Sequence, residues 1–262
     1  MPINKDIFIS ETAYGESQSS RNYWKNHRNK LDDLYPSERH FLEPAIKCAK
    51  SVLDVGCAAG GSFDFCKEAK SNIDYTGIDI SNSFLNRAIH KYGERATFLH
   101  DDMRQFQLEQ YFNFIFIGFN SFLHNLTNED ASQCLQSVHN HLTDNGLFLV
   151  SIFIPDPSFL YREDGRLFPA TPYFNFDGNR CRIMESNKFN QQTQINSLTW
   201  RLERDGELGL DKYTHSMRMF YPHFMDILIS NAGLVIKEKF GDYDGSSMDE
   251  ESGMQIYVCK KA

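Results

Sequence analysis

Hydrophobic residues along this chain form short runs of strand length that alternate with segments of helical spacing. The strand candidates are residues 51–57, 74–80, 96–100, 112–119 and 146–154. The helix candidates between them are residues 61–70, 81–92 and 128–142. Repeated strand and helix units of this kind predict a doubly wound α/β fold, in which helices cover both faces of a parallel sheet.

Two helix starts carry their own signals. Ser81 follows a strand candidate and is suited to be an N-cap, because its hydroxyl can accept from a backbone N–H of the first helical turn. The residues from Thr127 to Asp130 resemble a capping box with Asp in place of Glu. Both signals agree with the phase of the alternating pattern.

The alternation stops at residues 155–157, which read Pro-Asp-Pro. Residues 158–219 are rich in Asn, Gln, Arg and aromatic residues. The strand-like stretches within this segment are residues 181–189, 194–203 and 213–219. They predict an antiparallel β insertion after the fifth strand.

The α/β pattern resumes after the insertion, with a helix over residues 221–231 and strands over 234–240 and 254–260. The chain is therefore expected to have three parts. These are an N-terminal helical cap over residues 1–50, a core over 51–156 and 220–262, and a substrate-binding meander or lid over 157–219.

Composition narrows the class of protein. The 262 residues, 41% of them hydrophobic, are enough for one large core. A net charge of −8 argues against a nucleic-acid partner, since that affinity depends on Lys and Arg. The six cysteines include no C-x-x-C pair and predict reduced thiols. With no signal-peptide pattern and no apolar run near the ~20 residues that span a bilayer, we expect a cytoplasmic protein without a membrane partner. The oligomeric state is not determined by these features, and a homodimer is one possibility.

The stretch SVLDVGCAAGG, residues 51–61, joins an apolar strand candidate to a helix candidate through small residues. In a doubly wound sheet the ligand lies outside the carboxyl ends of the strands, at this kind of turn. Small residues let the backbone approach a ligand, and the N–H groups of the helix start favour an anionic group. Asp54 at the strand tip is suited to a cation, and Asp79 ends the second strand candidate, where an acid usually accepts from ribose hydroxyls. These features predict a nucleoside ligand.

Two nucleoside cofactors compete for this site. A dinucleotide site favours G-x-G-x-x-G, whereas residues 56–61 read GCAAGG, with Ala58 in place of the second glycine. This difference weakens the case for a pyrophosphate. The carboxylate of Asp54 also suits an ammonium group better than two phosphates. S-adenosylmethionine carries a ribose, a carboxylate and an ammonium group together.

Four motifs occur in order along the chain: LDVGCAAG, GIDIS, HDDMRQF and FNFIFIGFNSFLHNL. Together they resemble the motif set of the class I S-adenosylmethionine-dependent methyltransferases. The resemblance implies S-adenosyl-L-methionine as the cofactor. It also implies a Rossmann-like seven-stranded sheet whose last strand, over residues 254–260, is antiparallel.

The same resemblance assigns residues to each part of the cofactor. It gives the methionine end to Asp54, Gly56 and Gly60, the ribose to Asp79, the adenine to Asp102 and Met103, and the sulfonium to Phe119 and Asn120. Ala58 and Ile80 are further cofactor-binding candidates. Ala58 departs from the family, which usually has glycine there, so weaker binding or a displaced turn is expected. The adenine-binding acid is Asp102 or its neighbour Asp101. Asp102 is favoured because Met103 then occupies the position of the residue that packs on the ring.

Two further residues are candidates. Tyr23 belongs to an aromatic group, with Tyr14 and Trp24, that forms either the apolar face of an N-terminal helix or a flap over the cofactor. His124 lies at the carboxyl edge of the fourth strand candidate, where it either bonds a backbone carbonyl or acts as a catalytic base. No His, Cys and Asp set has metal-ligand spacing, so a metal-assisted mechanism is not expected.

The resemblance implies transfer of a methyl group by in-line displacement to an N or O atom of a small-molecule acceptor. The stretches NSFLHNL and GDYDGS are similar to those of small-molecule methyltransferases, including enzymes that modify nucleotide-linked amino sugars. A sugar or a phosphorylated metabolite is therefore a candidate acceptor. Aromatic residues and arginines of the insertion, such as Tyr173 and Arg182, would suit an anionic acceptor. Two alternatives stay open: a non-catalytic scaffold with the cofactor fold, and a dinucleotide-dependent oxidoreductase.

Overall fold

The computed structural model describes residues 36–176 and 178–262. Its helices are α1 (Pro36–Cys48), α2 (Gly61–Ala69), α3 (Asn82–Tyr92), α4 (Asn128–His141), α5 (Pro157–Leu160) and α6 (Pro222–Asn231), with 3₁₀ turns at Gly93–Arg95 and Ser121–His124. The strands are β1 (Ser51–Val55), β2 (Asp74–Asp79), β3 (Thr97–His100), β4 (Phe112–Ile117), β5 (Leu142–Phe153), β6 (Phe168–Pro169), β7 (Phe174–Phe176), β8 (Asn179–Asn190), β9 (Ile195–Arg204), β10 (Glu207–Arg218), β11 (Leu234–Phe240) and β12 (Met254–Lys261). The predicted aromatic group of Tyr14, Tyr23 and Trp24 lies outside the described residues.

The main sheet has seven strands in the order β11-β12-β5-β4-β1-β2-β3. Strands β1 to β5 pair in parallel, and β12 runs antiparallel between β5 and β11. Every residue of β1 is buried, as expected for a parallel strand that is covered on both faces. The predicted doubly wound, Rossmann-like sheet with an antiparallel last strand is confirmed.

The two predicted helix starts are present. The Ser81 hydroxyl accepts from the backbone N–H of Phe84 at the start of α3. At the start of α4, Thr127 and Asp130 form a reciprocal capping box, in which each side chain accepts from the backbone N–H of the other residue. Local sequence therefore fixes where these two helices begin.

Hydrophobic clusters lie on both faces of the sheet. On one face, α4 and α6 contribute buried residues such as Leu135 and Ile229. On the other face, α1, α2 and α3 contribute residues such as Ile46, Phe63 and Leu85. The two helical layers hold the strands in register and leave the carboxyl ends of β1 to β4 for a ligand site.

The insertion forms a second, antiparallel sheet in the order β10-β9-β8-β6, with β7 paired to β8. Strand β10 begins at Glu207, earlier than the predicted start at 213. The reason is the turn at Asp205 and Gly206, both of which have positive φ and form a two-residue hairpin loop with Arg204 opposite Glu207. This turn lets the polar residues at the start of β10 pair with β9.

Strand β5 also begins earlier than expected, at Leu142 rather than at residue 146. The polar residues 143–146 resemble a turn in sequence. They join the strand because the pairing with β4 changes register between Phe112 and Phe114, where an irregularity absorbs the additional residues.

Among the described residues, no helix is long and apolar enough to cross a membrane. All six cysteines lie in the described part of the chain as free thiols, and Cys48 alone among them is exposed. The prediction of reduced thiols agrees with this arrangement.

Candidate active site

A cavity of about 550 Å³ opens at the carboxyl ends of β1, β2, β3 and β4. Strand β1 lies between β4 and β2, so the chain order reverses at β1 and leaves a crevice there. The volume falls within the range of small-molecule sites. The cavity is therefore the candidate ligand site of this fold.

The loop after β1 forms one wall of the cavity through Gly56 and Ala58. Gly56 has a φ of 82°, and a Cβ at this position would lie 2.9 Å from the side chain of Ser121. Glycine is needed here so that the β1 loop can approach the β4 loop. Ala58 has a φ of 49°, a left-handed conformation that is uncommon for a residue with a side chain.

Gly60 lies in the same turn, just before the start of α2. It does not belong to the residues that line the cavity, although Gly61 does. Its φ is 74°, and a Cβ would lie 2.7 Å from the ring of Phe98. Close packing of the α2 start against β3 therefore explains the glycine at this position, and the assignment of Gly60 to the methionine end stays a prediction.

Asp79 lines the cavity at the end of β2 and is partly exposed. Its Oδ2 accepts from the backbone N–H of Ala58 at 2.8 Å, and its Oδ1 accepts from the N–H of Ser81 at 2.8 Å. These bonds orient the carboxylate at the cavity wall, and carboxylate oxygens are acceptors of the kind that a diol needs. Ile80 also lines the cavity and accepts through its carbonyl from His100 Nε2 at 2.8 Å.

Asp54 lies at the inner end of the cavity and is only 3% exposed. The hydroxyl of Tyr75 donates to Asp54 Oδ2 at 2.7 Å. Burial and the charge of Asp54 raise the pKa of Tyr75 well above its usual value, so the phenol stays protonated and donates. This bond fixes the Asp54 carboxylate beside the Gly56 turn.

The adenine end shows an arrangement that the sequence did not predict. Arg104 donates to both carboxylate oxygens of Asp102, with Nε at 3.0 and 2.9 Å and Nη2 at 2.6 Å, and its backbone N–H bonds Oδ1. Hydrogen bonding to Asp102 and then to Asp130 raises the pKa of Arg104. The Asp102 carboxylate thus has little remaining acceptor capacity, whereas Asp101 also lines the cavity. The choice between the two acids stays a prediction.

Met103 and Asn125 line the same end of the cavity. The amide of Asn125 approaches the Met103 sulfur at 3.4 Å and donates to the Phe122 carbonyl at 2.9 Å. The polarisable thioether is therefore held in a defined position, which agrees with packing against a ring.

The loop after β4 has two successive residues in left-handed conformations, Phe119 with a φ of 51° and Asn120 with a φ of 64°. Such strain in non-glycine residues is concentrated at functional sites. Asn120 Oδ1 accepts from the Phe153 N–H at 2.8 Å, which ties this loop to the end of β5. Both residues line the cavity, and their assignment to the sulfonium end stays a prediction.

The insertion contributes to the same cavity through Trp200, His215 and Met217. Trp200 lies on β9, and His215 and Met217 share one face of β10 because they are two positions apart. The Trp200 and His215 rings meet edge to face with their centroids 4.6 Å apart, and Trp200 Nε1 donates to Glu185 at 2.6 Å. The two-residue spacing of His215 and Met217 is the sequence signal that could have predicted that they line the same side of the cavity.

His124 lies beside this wall, and its Nδ1 is 3.3 Å from the carbonyl of Ser216. Burial lowers the pKa of His124 to about 4 and the pKa of His215 to about 3, where the neighbouring His124 also contributes. Both imidazoles are therefore neutral near pH 7. Since a carbonyl only accepts, His124 carries its proton on Nδ1 and presents a lone pair on Nε2.

The aromatic and arginine residues expected to bind an anion lie elsewhere. Tyr173 is not a lining residue of the cavity, and the guanidinium groups of Arg180 and Arg182 stack on its ring. Arg182 also pairs with Glu203 at 2.8 Å, and Arg162 with Glu185 at 3.6 Å. Acidic partners thus offset the charge of these two arginines, and an anion site in the insertion stays a prediction.

Glu38 was missed by the sequence reasoning, because the start of α1 carries no motif. It is 1% exposed and lines the cavity together with Tyr243. The Tyr243 hydroxyl lies 2.9 Å from Glu38 Oε1 and 2.8 Å from Ser151 Oγ. Residues from α1, β5 and the loop before β12 therefore meet at one point of the cavity wall.

The residues present fit S-adenosylmethionine in chemistry. A carboxylate lines the cavity at the end of β2, and Gly56 keeps the turn open where a Cβ would contact Ser121. Buried acids at Asp54 and Glu38 suit the ammonium group of an amino acid better than a pyrophosphate. The dinucleotide alternative is correspondingly weakened.

Comparison with known proteins agrees with this chemistry. Residues 52–146 match the model of a family described as a methyltransferase domain. The dTDP-3-amino-3,4,6-trideoxy-alpha-D-glucopyranose N,N-dimethyltransferase of Streptomyces venezuelae is 28% identical over 144 residues, which cover 52% of this chain and 59% of that enzyme. The match thus spans less than two thirds of the relative.

Three solved structures extend the similarity to nearly the whole fold. An S-adenosylmethionine-dependent methyltransferase from Clostridium acetobutylicum has a TM-score of 0.75 at 18% identity, covering 94% of this chain and 98% of that chain. The CcbJ methyltransferase from Streptomyces caelestis has a TM-score of 0.76 at 19% identity, covering 96% and 99%. A sugar N-methyltransferase from Streptoalloteichus has a TM-score of 0.70 at 14% identity, covering 95% and 94%. Residues 52–146 therefore match a methyltransferase domain, and the chain shares its fold with S-adenosylmethionine-dependent methyltransferases.

Proposed function

We propose that this protein transfers a methyl group from S-adenosylmethionine to an amino group of a small-molecule acceptor, with amino sugars as the favoured class. The observation that carries the proposal is the shared cavity. Cofactor motifs at the carboxyl ends of β1 to β4 and the insertion residues Trp200, His215 and Met217 line one space. A cofactor and an acceptor can therefore meet there.

The relatives favour nitrogen over oxygen. The Streptomyces venezuelae enzyme is named for N,N-dimethylation of an amino sugar, and the Streptoalloteichus structure is that of a sugar N-methyltransferase. The site chemistry points the same way, because a neutral amine is itself a nucleophile, whereas a hydroxyl needs a stronger base. Burial lowers the pKa of His124 to about 4, so this imidazole is a weak base.

The protein's part in the reaction is to bind, orient and exclude water. S-adenosylmethionine, when bound, supplies an electrophilic methyl group on a sulfonium. Asp79 would hold the ribose, and the strained pair Phe119 and Asn120 would shape the wall beside the reacting atoms. Trp200 and His215 would cover the acceptor end with apolar surface.

His124 would act by orientation in this account. Its Nδ1–H is directed to the Ser216 carbonyl, which sets the tautomer in which Nε2 is the acceptor nitrogen, the kind of atom that an amine N–H would donate to. Such a contact would align the nitrogen lone pair with the methyl carbon. The proton that the product ammonium loses would pass to water, so no strong base is needed.

The test is a methyl-transfer assay with paired acceptors. Purified protein is given labelled S-adenosylmethionine and an amino sugar, either free or nucleotide-linked, alongside the same sugar with a hydroxyl in place of the amine. We expect methylation of the amine and none of the hydroxyl partner. Transfer to the hydroxyl partner alone would contradict the proposed chemistry. Binding of S-adenosylhomocysteine without transfer to any acceptor would favour the scaffold alternative.

A further inference from the structure

Glu38 is a buried acid whose contacts are incomplete. Its Oε1 accepts from the hydroxyl of Tyr243 at 2.9 Å and is 3.5 Å from the hydroxyl of Ser151. Its Oε2 has no hydrogen-bond partner in the part of the chain that the structure describes. Hydroxyl groups carry no charge, and a buried carboxylate that lacks a cation is costly. The arrangement therefore calls for a cationic donor at Oε2.

The position of Glu38 indicates which end of the cavity it serves. A Cβ on Gly118 would lie 3.0 Å from Glu38 Oε1, which places the acid against the backbone just after β4. Glu38 also feels the negative charge of Asp54 at the end of β1. It thus lies between the carboxyl ends of β1 and β4, where the methionine end of the cofactor is expected.

We infer that Glu38 binds the ammonium group of the cofactor's methionine portion, in concert with Asp54, and so is a further cofactor-binding residue. This inference rests on the proposed function. Two carboxylates that share one buried site repel each other, and a single positive charge beside them relieves that repulsion. An ammonium group carries that charge and has three N–H donors, enough to reach Oε2.

The other groups around Glu38 determine how binding depends on pH. Burial first, and then the charge of Asp54, raise the pKa of Glu38 to about 7, against hydrogen bonds from Tyr243, Ser151 and the Phe119 backbone. The adjacent cation is Arg39, whose guanidinium lies 5.7 Å from the ring centroid of Phe65. A bound ammonium lowers the pKa of Glu38, so binding below pH 7 releases a proton and weakens as pH falls.

The experiment is titration calorimetry of the full chain with three ligands. S-adenosylhomocysteine has the carboxylate and the ammonium, its decarboxylated analogue keeps only the ammonium, and 5′-methylthioadenosine has neither. The variant is Glu38→Gln, which keeps the shape and an acceptor for Tyr243. Glu43→Gln is the matched control, because Glu43 lies on the same helix with a partly exposed side chain paired to Lys47.

In Glu38→Gln we expect affinity for the two amine-bearing ligands to fall by about tenfold to a hundredfold, the range of a charge-assisted hydrogen bond. Affinity for 5′-methylthioadenosine should change less than threefold, as should all affinities in the control. Equal losses for all three ligands, or no loss, would overturn the inference. Wild-type protein that binds none of the ligands would instead contradict the proposed function.

A second measurement does not depend on the variant being folded. Calorimetry of the wild-type protein at pH 6.5, in buffers of different ionisation enthalpy, reports the protons exchanged on binding. We expect net proton release with both amine-bearing ligands beyond that seen with 5′-methylthioadenosine. Equal proton exchange with all three ligands would overturn the assignment of Glu38.

Discussion

The backbone N–H of Ala58 donates a 2.8 Å hydrogen bond to Asp79 Oδ2, which ties the turn after β1 to the end of β2. The acid proposed to hold the ribose therefore also positions the turn proposed to hold the methionine portion. Asp79→Ala should weaken S-adenosylhomocysteine binding by roughly 1 to 3 kcal/mol, since it removes the acceptor of two hydroxyls and releases the turn.

Asp74→Ala is the control for this change, because Asp74 is exposed at the opposite end of β2. Calorimetry of both variants gives the comparison. Unchanged affinity in Asp79→Ala would remove Asp79 from the cofactor site.

Exchanging alanine and glycine should affect stability differently at Ala58 and at Gly60. Ala58→Gly removes a strained left-handed alanine, with a φ of 49°, and this gain roughly offsets the entropy of a new glycine. We expect the free energy of unfolding to change by less than about 0.5 kcal/mol and cofactor affinity to be kept or improved. Gly60→Ala should cost more than about 2 kcal/mol, because its Cβ would meet the Phe98 ring at 2.7 Å.

Chemical denaturation of the two variants checks this pair. A neutral Gly60→Ala would show that the Phe98 contact is easily relieved. A loss above about 1 kcal/mol in Ala58→Gly would show that the alanine methyl group contributes packing that outweighs its strain.

Acid should destabilise the protein through its two buried histidines. The folded pKa values of His124, about 4, and His215, about 3, lie below the ordinary value of 6.5. The folded state therefore binds fewer protons than the unfolded chain, so this stability is present above pH 6.5 and is lost as pH falls toward 4. We expect the free energy of unfolding to fall by roughly 1 to 3 kcal/mol per histidine over that range.

Urea denaturation at several pH values tests the origin of this loss. His124→Gln should flatten the profile between pH 6.5 and 4.5, whereas the exposed His90→Gln should leave it unchanged. Identical profiles for wild-type protein and His124→Gln would show that other groups cause the acid sensitivity.

The neighbouring acids Asp101 and Asp102 should separate into different roles. Arg104 engages both oxygens of Asp102, so Asp102→Asn should lower stability by roughly 1 to 3 kcal/mol and change cofactor affinity little. Asp101→Asn should reduce the preference for S-adenosylhomocysteine over its inosine counterpart, which lacks the adenine amino group. If Asp102→Asn alone abolishes that preference, the register favoured by the sequence is correct.

A site residue could be predicted from sequence where its structural role depends on residues close to it in the chain. Asp54, Gly56 and Asp79 could be placed from sequence because each lies at a strand end, where burial and turn chemistry are local. The contact of Gly60 with Phe98 could not be inferred, because Phe98 comes from β3.

Contacts between segments that are far apart in the chain could not be predicted from the sequence. Tyr243 is 205 residues from Glu38 in the chain, and no local pattern joins them. Trp200 and His215 come from two strands of the insertion, and no local pattern indicates that they, and not Tyr173, line the cavity. The pairing of Arg104 with Asp102 spans only two positions, but it depends on side-chain geometry that spacing does not reveal.

The central claim is that the core strands bind the cofactor while the insertion selects the acceptor within one cavity. Steady-state kinetics with both substrates varied, in Trp200→Ala and in Asp79→Ala, tests it most directly. We predict that Trp200→Ala lowers kcat/KM for the amine acceptor by about a hundredfold and changes S-adenosylhomocysteine affinity less than threefold, while Asp79→Ala mainly raises the KM for S-adenosylmethionine. The claim would be contradicted if Trp200→Ala lowered the acceptor kcat/KM and the S-adenosylhomocysteine affinity to a similar extent, or if it left the acceptor kcat/KM unchanged.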